Sequence, residues 1–219
     1  MRLGLLGGTF NPIHLGHLRS AVEVRETFNL DRVLLIPSAH PPHRASKGIA
    51  DAEDRLEMVR LAAQGVSCLE ASDVELSRPG PSYTIETLES FQHRFGPQCD
   101  IHFIIGFDAF SEIATWKAFK KLFATARFVV TGRSGAHPQD LETVIHTDVS
   151  PNYRYDTASR AFRHPEWLTI YSMQVTRFDI SGTQVRRCLR KHRSITFLVP
   201  RAVEDDIYDR NLYLDGTNE

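Results

Sequence analysis

The chain has 219 residues, of which 42% are hydrophobic and 24% are charged, and its formal net charge is −1. These values are ordinary for a globular protein with a sizeable core, and the balanced charge excludes a general attraction to nucleic acid or membranes. Three distant cysteines without a CxxC pair argue against a disulfide framework or a cysteine metal site and favour a reducing cytoplasm. The N-terminus leads straight into an apolar run, and no run is long enough to span a bilayer, so we expect neither a signal peptide nor a membrane segment.

The most informative stretch is residues 7–17, GGTFNPIHLGH. It follows an apolar run at residues 3–6, a predicted buried strand, and it precedes apolar residues at helical spacing over residues 15–28. A strand, a glycine-rich turn and a helix start form an anion site, because backbone N–H groups point outward and the helix dipole favours negative charge. His14 and His17, three residues apart, face the same side of this helix. The stretch therefore predicts a phosphate site with two imidazoles directed at it.

Other interpretations of this stretch fit less well. A P-loop needs Lys and then Ser or Thr after its last glycine, whereas His17 follows Gly16. The dinucleotide fingerprint G-x-G-x-x-G differs from the adjacent Gly7 and Gly8. A zinc site lacks the Glu of H-E-x-x-H and a nearby Cys. An ordinary turn with two surface histidines is the simplest structural alternative.

Residues 7–17 resemble the signature of nucleotidyltransferases that carry an H-x-G-H motif, α/β enzymes that join a nucleotide to a phosphate ester and release pyrophosphate. The motif is here residues 14–17. In the pantetheine-phosphate adenylyltransferase branch the first histidine is usually Thr, so His14 indicates the pyridine-nucleotide branch. The resemblance implies that His14 and His17 are catalytic and that the following residues bind ATP: Gly7, Gly8, Thr9 and Phe10.

Residues 32–37 are predicted as a second parallel strand, and they lead into a loop with two adjacent prolines. By pattern alone this loop is a rigid connector in which His43 and Arg44 are solvated. A P-P-H-R stretch occupies the same place in the nicotinate-nucleotide adenylyltransferases, which implies that Arg44 is a phosphate clamp.

Residues 51–64 are predicted as an amphipathic helix that ends at Gly65. Leu56, Val59, Arg60 and Ala63 are spaced to bury one side. We assign this helix no chemistry and interpret its charges as a solvated face.

Residues 82–88, SYTIETL, are predicted to open a helix with Ser82 as its N-cap. A plain capped helix would explain the composition. Preceded by Arg78, however, this stretch resembles the pyridine-nucleotide motif of the nicotinate-specific enzymes, in which the backbone at the position of Thr84 holds the pyridine carboxylate. The resemblance places Tyr83 and Thr84 in the substrate site. Helix-terminal N–H groups can all donate to a carboxylate, whereas a carboxamide presents one oxygen and an NH₂ group.

Residues 101–105 are a predicted buried strand that runs into Gly106 and Asp108. A carboxylate at this edge of a parallel sheet lies where open α/β sheets bind ligands, although Asp108 is also a candidate N-cap. By resemblance, Gly106 and Asp108 contact ATP. An isolated tryptophan is more often a core residue, but Trp116 matches the tryptophan that stacks on the pyridine ring.

Residues 127–131 are a further predicted strand, after which Arg133 is expected to face the nucleotides by resemblance. Residues 146–167 are aromatic and basic without periodicity. They are longer than is usual in the family, and an insertion, a lid, a subunit contact and a surface loop all stay open for them.

Residues 168–172 are predicted as a strand, and a helix opens after residues 178–181. The family pattern here is I-S-S-T-x-I-R, so Ser181 and Thr183 imply ATP contacts and Arg186 a catalytic charge. Gly182 departs from the pattern. If backbone N–H groups dominate phosphate binding, Gly182→Ser should change ATP affinity by about 1 kcal/mol or less.

The resemblance covers nearly the whole chain and implies one nucleotidyltransferase domain over residues 1–219, with residues 181–219 as a C-terminal helical segment that completes the ATP site. The fold implied is three-layer α/β, with a Rossmann-like, mostly parallel sheet and helices on both faces. The implied partners are ATP and nicotinate mononucleotide, joined to give nicotinate adenine dinucleotide and pyrophosphate in NAD biosynthesis. Mg²⁺ is expected to be carried by the ATP phosphates rather than by a protein cage.

Three further points stay open. The substrate could be nicotinamide mononucleotide or that of another H-x-G-H transferase. A non-catalytic nucleotide-binding regulator is the alternative from another class. The sequence also leaves the formation of a homo-oligomer undecided.

Overall fold

The computed structural model describes residues 1–41, 48–132 and 138–214. They form an eight-stranded sheet in the order β3-β2-β1-β4-β5-β8-β7-β6. The six strands from β3 to β8 in this order run parallel to one another. β7 pairs antiparallel with β8, and β6 pairs antiparallel with β7. The strands are β1 (Arg2–Gly8), β2 (Arg32–Pro37), β3 (Leu69–Ala71), β4 (Asp100–Gly106), β5 (Arg127–Gly132), β6 (Arg154–Asp156), β7 (Ala161–Arg163) and β8 (Ile170–Gln174). The predicted Rossmann-like, mostly parallel sheet is confirmed.

Helices follow most of the parallel strands, as right-handed crossovers require. Short 3₁₀ and π turns lie at Ile113–Thr115 and Ile145–Val149. The α-helices are α1 (Leu15–Phe28), α2 (Ala52–Ala63), α3 (Thr84–Phe95), α4 (Phe107–Phe110), α5 (Phe119–Thr125), α6 (Pro138–Val144), α7 (Gly182–Arg190) and α8 (Arg201–Asp209). Within the described ranges, none of these helices is long and apolar enough to cross a bilayer.

Two apolar cores, one on each face of the sheet, make the fold three-layered. Alternate residues of a strand point to opposite faces, so that Leu3 and Leu5 join one core and Leu6 joins the other. The first core is closed by α3 to α6, and the second by α1, α2, α7 and α8. The central strands therefore have apolar residues on both faces, which is why they appear in the sequence as continuous apolar runs.

The strand order places the glycine-rich segment at a ligand-binding edge. β1 lies between β2 and β4, so the chain leaves it on one side towards β2 and β3 and later resumes on the other side with β4. In open α/β sheets, ligands bind beside the carboxyl ends of the strands at such a switch point. Gly7 and Gly8 end β1 there, residues 9–17 follow it, and Gly106 ends the neighbouring strand.

Residues 146–167 contribute an antiparallel hairpin, β6 and β7, that extends the sheet beyond β8. Tyr153 and Phe162 are fully buried in the first core. The Tyr153 hydroxyl donates to the carbonyl oxygen of Leu168 at 2.9 Å. Burial raises the pKa of this phenol. Part of this segment therefore belongs to the core, although most of its residues are partly or fully exposed. Whether it has a role in binding or assembly stays a prediction.

Local details differ from the sequence predictions in α2 and α3. In α2, Arg60 is exposed and the buried cation is Arg55, 1% exposed. α3 begins at Thr84 with Tyr83 as N-cap, so the assignment of Ser82 as N-cap is wrong. Ser82 instead pairs with His40, donating its N–H to the His40 carbonyl and accepting the His40 N–H at its Oγ.

Candidate active site

The glycine-rich segment leaves β1 through a constrained turn. Phe10 is 3% exposed and has a φ of 46°, a left-handed conformation that costs a non-glycine residue about 1–3 kcal/mol. Its ring meets the His17 ring edge-on, with the centroids 5.0 Å apart. A Cβ at Gly8 would lie 3.1 Å from the Phe10 ring, so Gly8 leaves the space that this ring occupies. Backbone strain of this kind is typical of ligand-binding and catalytic sites.

The two histidines of the H-x-G-H motif form a stacked pair at the start of α1. Their ring centroids are 3.6 Å apart at an interplanar angle of 24°. His14, 7% exposed, precedes the helix, and its backbone N–H donates to Nδ1 of His17 at 3.3 Å. Because Nδ1 accepts a hydrogen bond, neutral His17 carries its proton on Nε2. His17 therefore presents an N–H donor on the opposite side of its ring, and the prediction that both imidazoles share one side is confirmed.

The glycine between the histidines lets the His14 ring pack closely against the backbone. A Cβ on Gly16 would lie 3.1 Å from Nδ1 and 3.2 Å from Cε1 of His14, and 3.6 Å from Cβ of Phe178. The ring of His14 thus lies against the Gly16 backbone, where a side chain would push it away from His17.

Helix α7 brings Arg186 to the same segment. Ser181 is the N-cap, and its Oγ accepts the Gln184 N–H at 3.2 Å. Nη1 of Arg186 donates to the carbonyl oxygen of Asn11 at 2.5 Å, and Nη2 donates to Oγ1 of Thr183 at 3.3 Å. This bond connects Arg186, far away in sequence, to the short loop that leads from Asn11 to His14 and His17.

Gly182 lies against the same carbonyl. A Cβ at this position would lie 2.6 Å from the Asn11 oxygen and 3.2 Å from its carbonyl carbon. Both atoms belong to the backbone, so either α7 or the loop would have to move to admit a side chain. The expectation that Gly182→Ser is nearly neutral considered only the hydroxyl and does not agree with this packing.

A second positively charged residue, which the sequence analysis left out, lies beneath the loop. Arg55 donates Nε to the Ala50 carbonyl at 2.8 Å, and its Nη1 donates to the carbonyls of Thr9 and Ser38 at 2.8 and 2.7 Å. Its Nη2 reaches the Ala39 carbonyl at 3.2 Å. Burial lowers the pKa of this guanidinium, partly offset by the surrounding Tyr213, Asp51, Asp54 and Glu75. Arg55 thus ties together the glycine-rich loop, the end of β2 and the start of α2.

The predicted pyridine site lies at the start of α3. Nζ of Lys117 donates to Oε1 of Glu86 at 2.6 Å and lies 4.2 Å from the centroid of the Tyr83 ring. This bond lowers the pKa of Glu86 and raises that of Lys117. Nε of Arg78 lies 3.3 Å from Oε2 of Glu86. Two cations and the first turn of α3, where Thr84 lies, thus surround one carboxylate.

A buried carboxylate, Glu75, is hydrogen-bonded to the first turns of α3. Glu75, 8% exposed, accepts a hydrogen bond from the Thr87 hydroxyl at 2.7 Å, and Thr87 also accepts Nη2 of Arg78 at 3.3 Å. Burial raises the pKa of Glu75, although bonds from Thr87 and Ser82 and the charges of Arg78 and Arg55 oppose the shift.

Trp116 is half-buried, and its ring meets the Phe103 ring edge-on at 6.3 Å. It packs against the first core. Its role as a stacking platform stays a prediction.

Gly106 and Asp108 lie at the carboxyl end of β4, and both are exposed. Gly106 is the N-cap of the short α4, so the alternative of Asp108 as N-cap is wrong. Arg44 and Arg133 lie outside the described residues. Across residues 1–41, 48–132 and 138–214, no three His, Cys, Asp or Glu side chains are grouped as metal ligands.

Comparison with known proteins places this arrangement in a family. The family model described as cytidylyltransferase-like matches residues 5–188. A protein of Desulfatibacillum aliphaticivorans named probable nicotinate-nucleotide adenylyltransferase is 45% identical, over 98% of this chain and 100% of its own length. A protein of the same name from Geobacter sulfurreducens is 40% identical, over 97% of this chain and 98% of its own.

Solved structures agree on the fold. The nicotinic acid mononucleotide adenylyltransferase of Plasmodium falciparum, solved with NaAD, superposes with a TM-score of 0.74 at 17% identity, covering 97% of each chain. A putative nicotinate-nucleotide adenylyltransferase of Vibrio parahaemolyticus gives a TM-score of 0.63 at 20% identity, over 99% of this chain and 97% of its own. The chain therefore belongs to the cytidylyltransferase-like family and, within it, to the nicotinate-nucleotide adenylyltransferases.

Proposed function

We propose that this chain transfers the adenylyl group of ATP to nicotinate mononucleotide, giving nicotinate adenine dinucleotide and pyrophosphate. The observation that carries the proposal is the bond from Arg186 to the Asn11 carbonyl, which brings a cation from α7 to the loop of the stacked His14 and His17. The names of the relatives support the same reaction.

The reaction forms one bond and breaks another at the α-phosphorus of ATP. A phosphate oxygen of the mononucleotide attacks this phosphorus, and the bond from it to the bridging oxygen of the β-phosphate breaks, so that pyrophosphate leaves with the electron pair. The attacking phosphate is already largely anionic near neutral pH, because the second pKa of a phosphate monoester is about 6. No general base is therefore required.

The protein contributes positioning and charge stabilisation. His17 offers Nε2–H to an α-phosphate oxygen, since its Nδ1 is occupied by the His14 N–H. Arg186 supplies a fixed positive charge one turn into α7, and the backbone N–H groups at the start of α7, beside Ser181 and Thr183, donate to phosphate oxygens. Fixed donors and cations stabilise the charge that develops as pyrophosphate leaves.

The remaining contacts divide between the two substrates. Gly7 and Gly8 let ATP approach the backbone after β1, while Gly106, Asp108 and Arg133 serve its nucleoside side. Arg44 binds phosphate. Tyr83, Thr84 and Trp116 hold the pyridine ring of the mononucleotide and its carboxylate.

Mg²⁺ enters with ATP, because this ion keeps several waters and is usually held through substrate phosphates. When bound, it neutralises part of the triphosphate charge. We also place the protein in the cytoplasm, on the evidence of three separate free cysteines.

The test is pyrophosphate release from ATP and Mg²⁺ with nicotinate mononucleotide, nicotinamide mononucleotide or no acceptor. We expect release with nicotinate mononucleotide and formation of one dinucleotide per pyrophosphate. A regulator that only binds nucleotide would retain ATP affinity and release no pyrophosphate with either acceptor.

A further inference from the structure

The Asn11 carboxamide joins three separate parts of the chain. This residue is 7% exposed. Its Nδ2 donates to the Gly48 carbonyl at 2.8 Å, and its Oδ1 accepts the Ala50 N–H at 3.0 Å. The same Oδ1 accepts the hydroxyl of Tyr213 at 2.8 Å, across 202 positions of sequence. A carboxamide has two N–H donors and two acceptor lone pairs, so three of its four hydrogen-bonding positions are used.

The backbone of Asn11 faces a different group of residues. Its carbonyl oxygen accepts Nη1 of Arg186 and lies against Gly182. The side chain of Asn11 thus fixes the loop to residues 48–50 and to Tyr213, while its carbonyl fixes Arg186. His14 follows three positions later, and a displacement of the Asn11 carbonyl would change where Arg186 lies relative to the histidine pair.

This arrangement matters because Arg186 carries a long side chain with many rotamers. Its guanidinium is held by the Asn11 carbonyl and by Oγ1 of Thr183. A displacement of about 1 Å at a reacting centre can reduce the rate roughly a hundredfold. The position of the Asn11 carbonyl therefore sets where the positive charge of Arg186 lies relative to the α-phosphate.

Tyr213 is suited to a fixed supporting role. Burial raises the pKa of its phenol, although Arg186 and Arg55 oppose the shift, so the hydroxyl stays protonated and donates at physiological pH. Aspartates 54 and 206 also face this group. Without the hydroxyl, the carboxamide keeps its bonds to Gly48 and Ala50 but loses its connection to Tyr213.

We propose that Asn11 and Tyr213 are positioning residues, which act on adenylyl transfer by holding Arg186 in its place relative to the His14–His17 pair. The inference rests on the proposed function. It adds a chain of hydrogen bonds from Tyr213 through Asn11 to Arg186, the residue proposed to stabilise the reacting phosphate. Neither residue is required to touch a substrate.

The test uses Tyr213→Phe, with Tyr208→Phe as the matched control. Both variants lose one phenolic hydroxyl from the C-terminal region, but Tyr208 is 42% exposed. We expect Tyr213→Phe to lower kcat about tenfold, with the affinity for a non-hydrolysable ATP analogue within about twofold, because alignment and not binding is lost. Tyr208→Phe should retain the kcat of the unaltered chain.

A double-substitution cycle separates positioning from a general loss of structure. In an Arg186→Lys background the guanidinium that contacts Asn11 is absent, so Tyr213→Phe should lower kcat less than about twofold further, since coupled residues are non-additive. If Tyr213→Phe does not fold, Asn11→Ser enters the same cycle, because its shorter side chain cannot reach all three partners.

The outcomes distinguish the two proposals. No pyrophosphate from the unaltered chain overturns the proposed function, and the positioning role with it. An active unaltered chain in which Tyr213→Phe matches Tyr208→Phe, or loses the same factor with and without Arg186→Lys, overturns the positioning role alone.

Discussion

The phosphate end of the candidate site and its pyridine end are held together by different kinds of interaction. Around Asn11, arginines bind backbone carbonyls: the buried Arg55 donates to four of them and the half-buried Arg186 to one. At the start of α3, Glu86 forms ion pairs with Arg78 and Lys117. About half of the Lys117 side chain is exposed to solvent.

This difference follows from how each type of bond responds to solvent. Buried hydrogen bonds to carbonyls are costly to break, because the carbonyl is left without a partner. Exposed ion pairs contribute little and are weakened by salt. The phosphate end is therefore rigid, and substitutions there should reduce turnover steeply. The pyridine end is adjustable, and substitutions there should change substrate binding by small factors.

The largest expected effect tests the rigid end. His17→Ala removes the Nε2–H donor, and loss of one such donor typically costs about a hundredfold or more in kcat. The melting temperature should change little, since His17 is half-buried. His93→Ala, an exposed histidine on α3, is the matched control. Near-normal pyrophosphate release by folded His17→Ala would remove His17 from the mechanism.

The next effect concerns packing at the same end. Gly182→Ala and Gly182→Ser should both lower kcat/KM for ATP about tenfold or more, because the added Cβ displaces the Asn11 carbonyl and Arg186. The comparison of Ala with Ser is the control for hydrogen bonding. A Ser variant with the activity of the unaltered chain would show that α7 shifts without cost, and would agree with the sequence-based expectation that ATP affinity changes little.

Substrate choice tests the adjustable end. Nicotinate mononucleotide should be preferred over the nicotinamide form by at least about tenfold in kcat/KM. A carboxamide turns its NH₂ towards at least one N–H donor and loses the helix-dipole interaction. Steady-state kinetics with each mononucleotide at saturating ATP measures this. Equal kcat/KM values would contradict the role of Thr84 while leaving adenylyl transfer intact.

The smallest effect comes from the ion pairs themselves. Glu86→Gln leaves the Lys117 and Arg78 charges unpaired near the start of α3. The KM for nicotinate mononucleotide should fall about two- to threefold at low salt, and the gain should fade as salt screens the charges. Glu89→Gln, which breaks the neighbouring pair with Lys121, is the control. An unchanged KM would show that the pyridine carboxylate of the substrate does not bind near Lys117 and Arg78.

The sequence predicted elements whose signal is local. Four of the five long parallel strands, β1, β2, β4 and β5, are visible in the sequence because both of their faces are buried, which produces continuous apolar runs. β8 is only partly buried, and its apolar signal is weaker. β3, β6 and β7 were missed because each has only three residues, too few for a period of two to be visible. Their strand character comes from pairing with neighbours.

The same distinction applies to the site. The motifs around His14 and Arg186 are short, contiguous stretches of sequence, so they are recognisable by their resemblance to the family patterns. Asn11, Arg55 and Tyr213 were missed because their partners lie far away in sequence, 46 positions for Arg55 and Thr9 and 202 for Asn11 and Tyr213. Arg55 did leave a signal: a cation at helical spacing with Met58 and Val59, which are both buried. The apolar spacing instead predicts Arg60 on the buried side, and Arg60 is exposed.

The separation of 202 positions between Asn11 and Tyr213 has a consequence for the timing of synthesis. At about 5–20 residues per second, a ribosome adds Tyr213 roughly 10–40 s after Asn11. During that interval the early strands and the H-x-G-H histidines are present, but Arg186 is absent for most of it and the Asn11 side chain lacks its last partner. Over most of that interval the nascent chain lacks α7 and Tyr213, so the proposed positioning of Arg186 predicts that adenylyl transfer begins only when these segments have folded back onto the first loop.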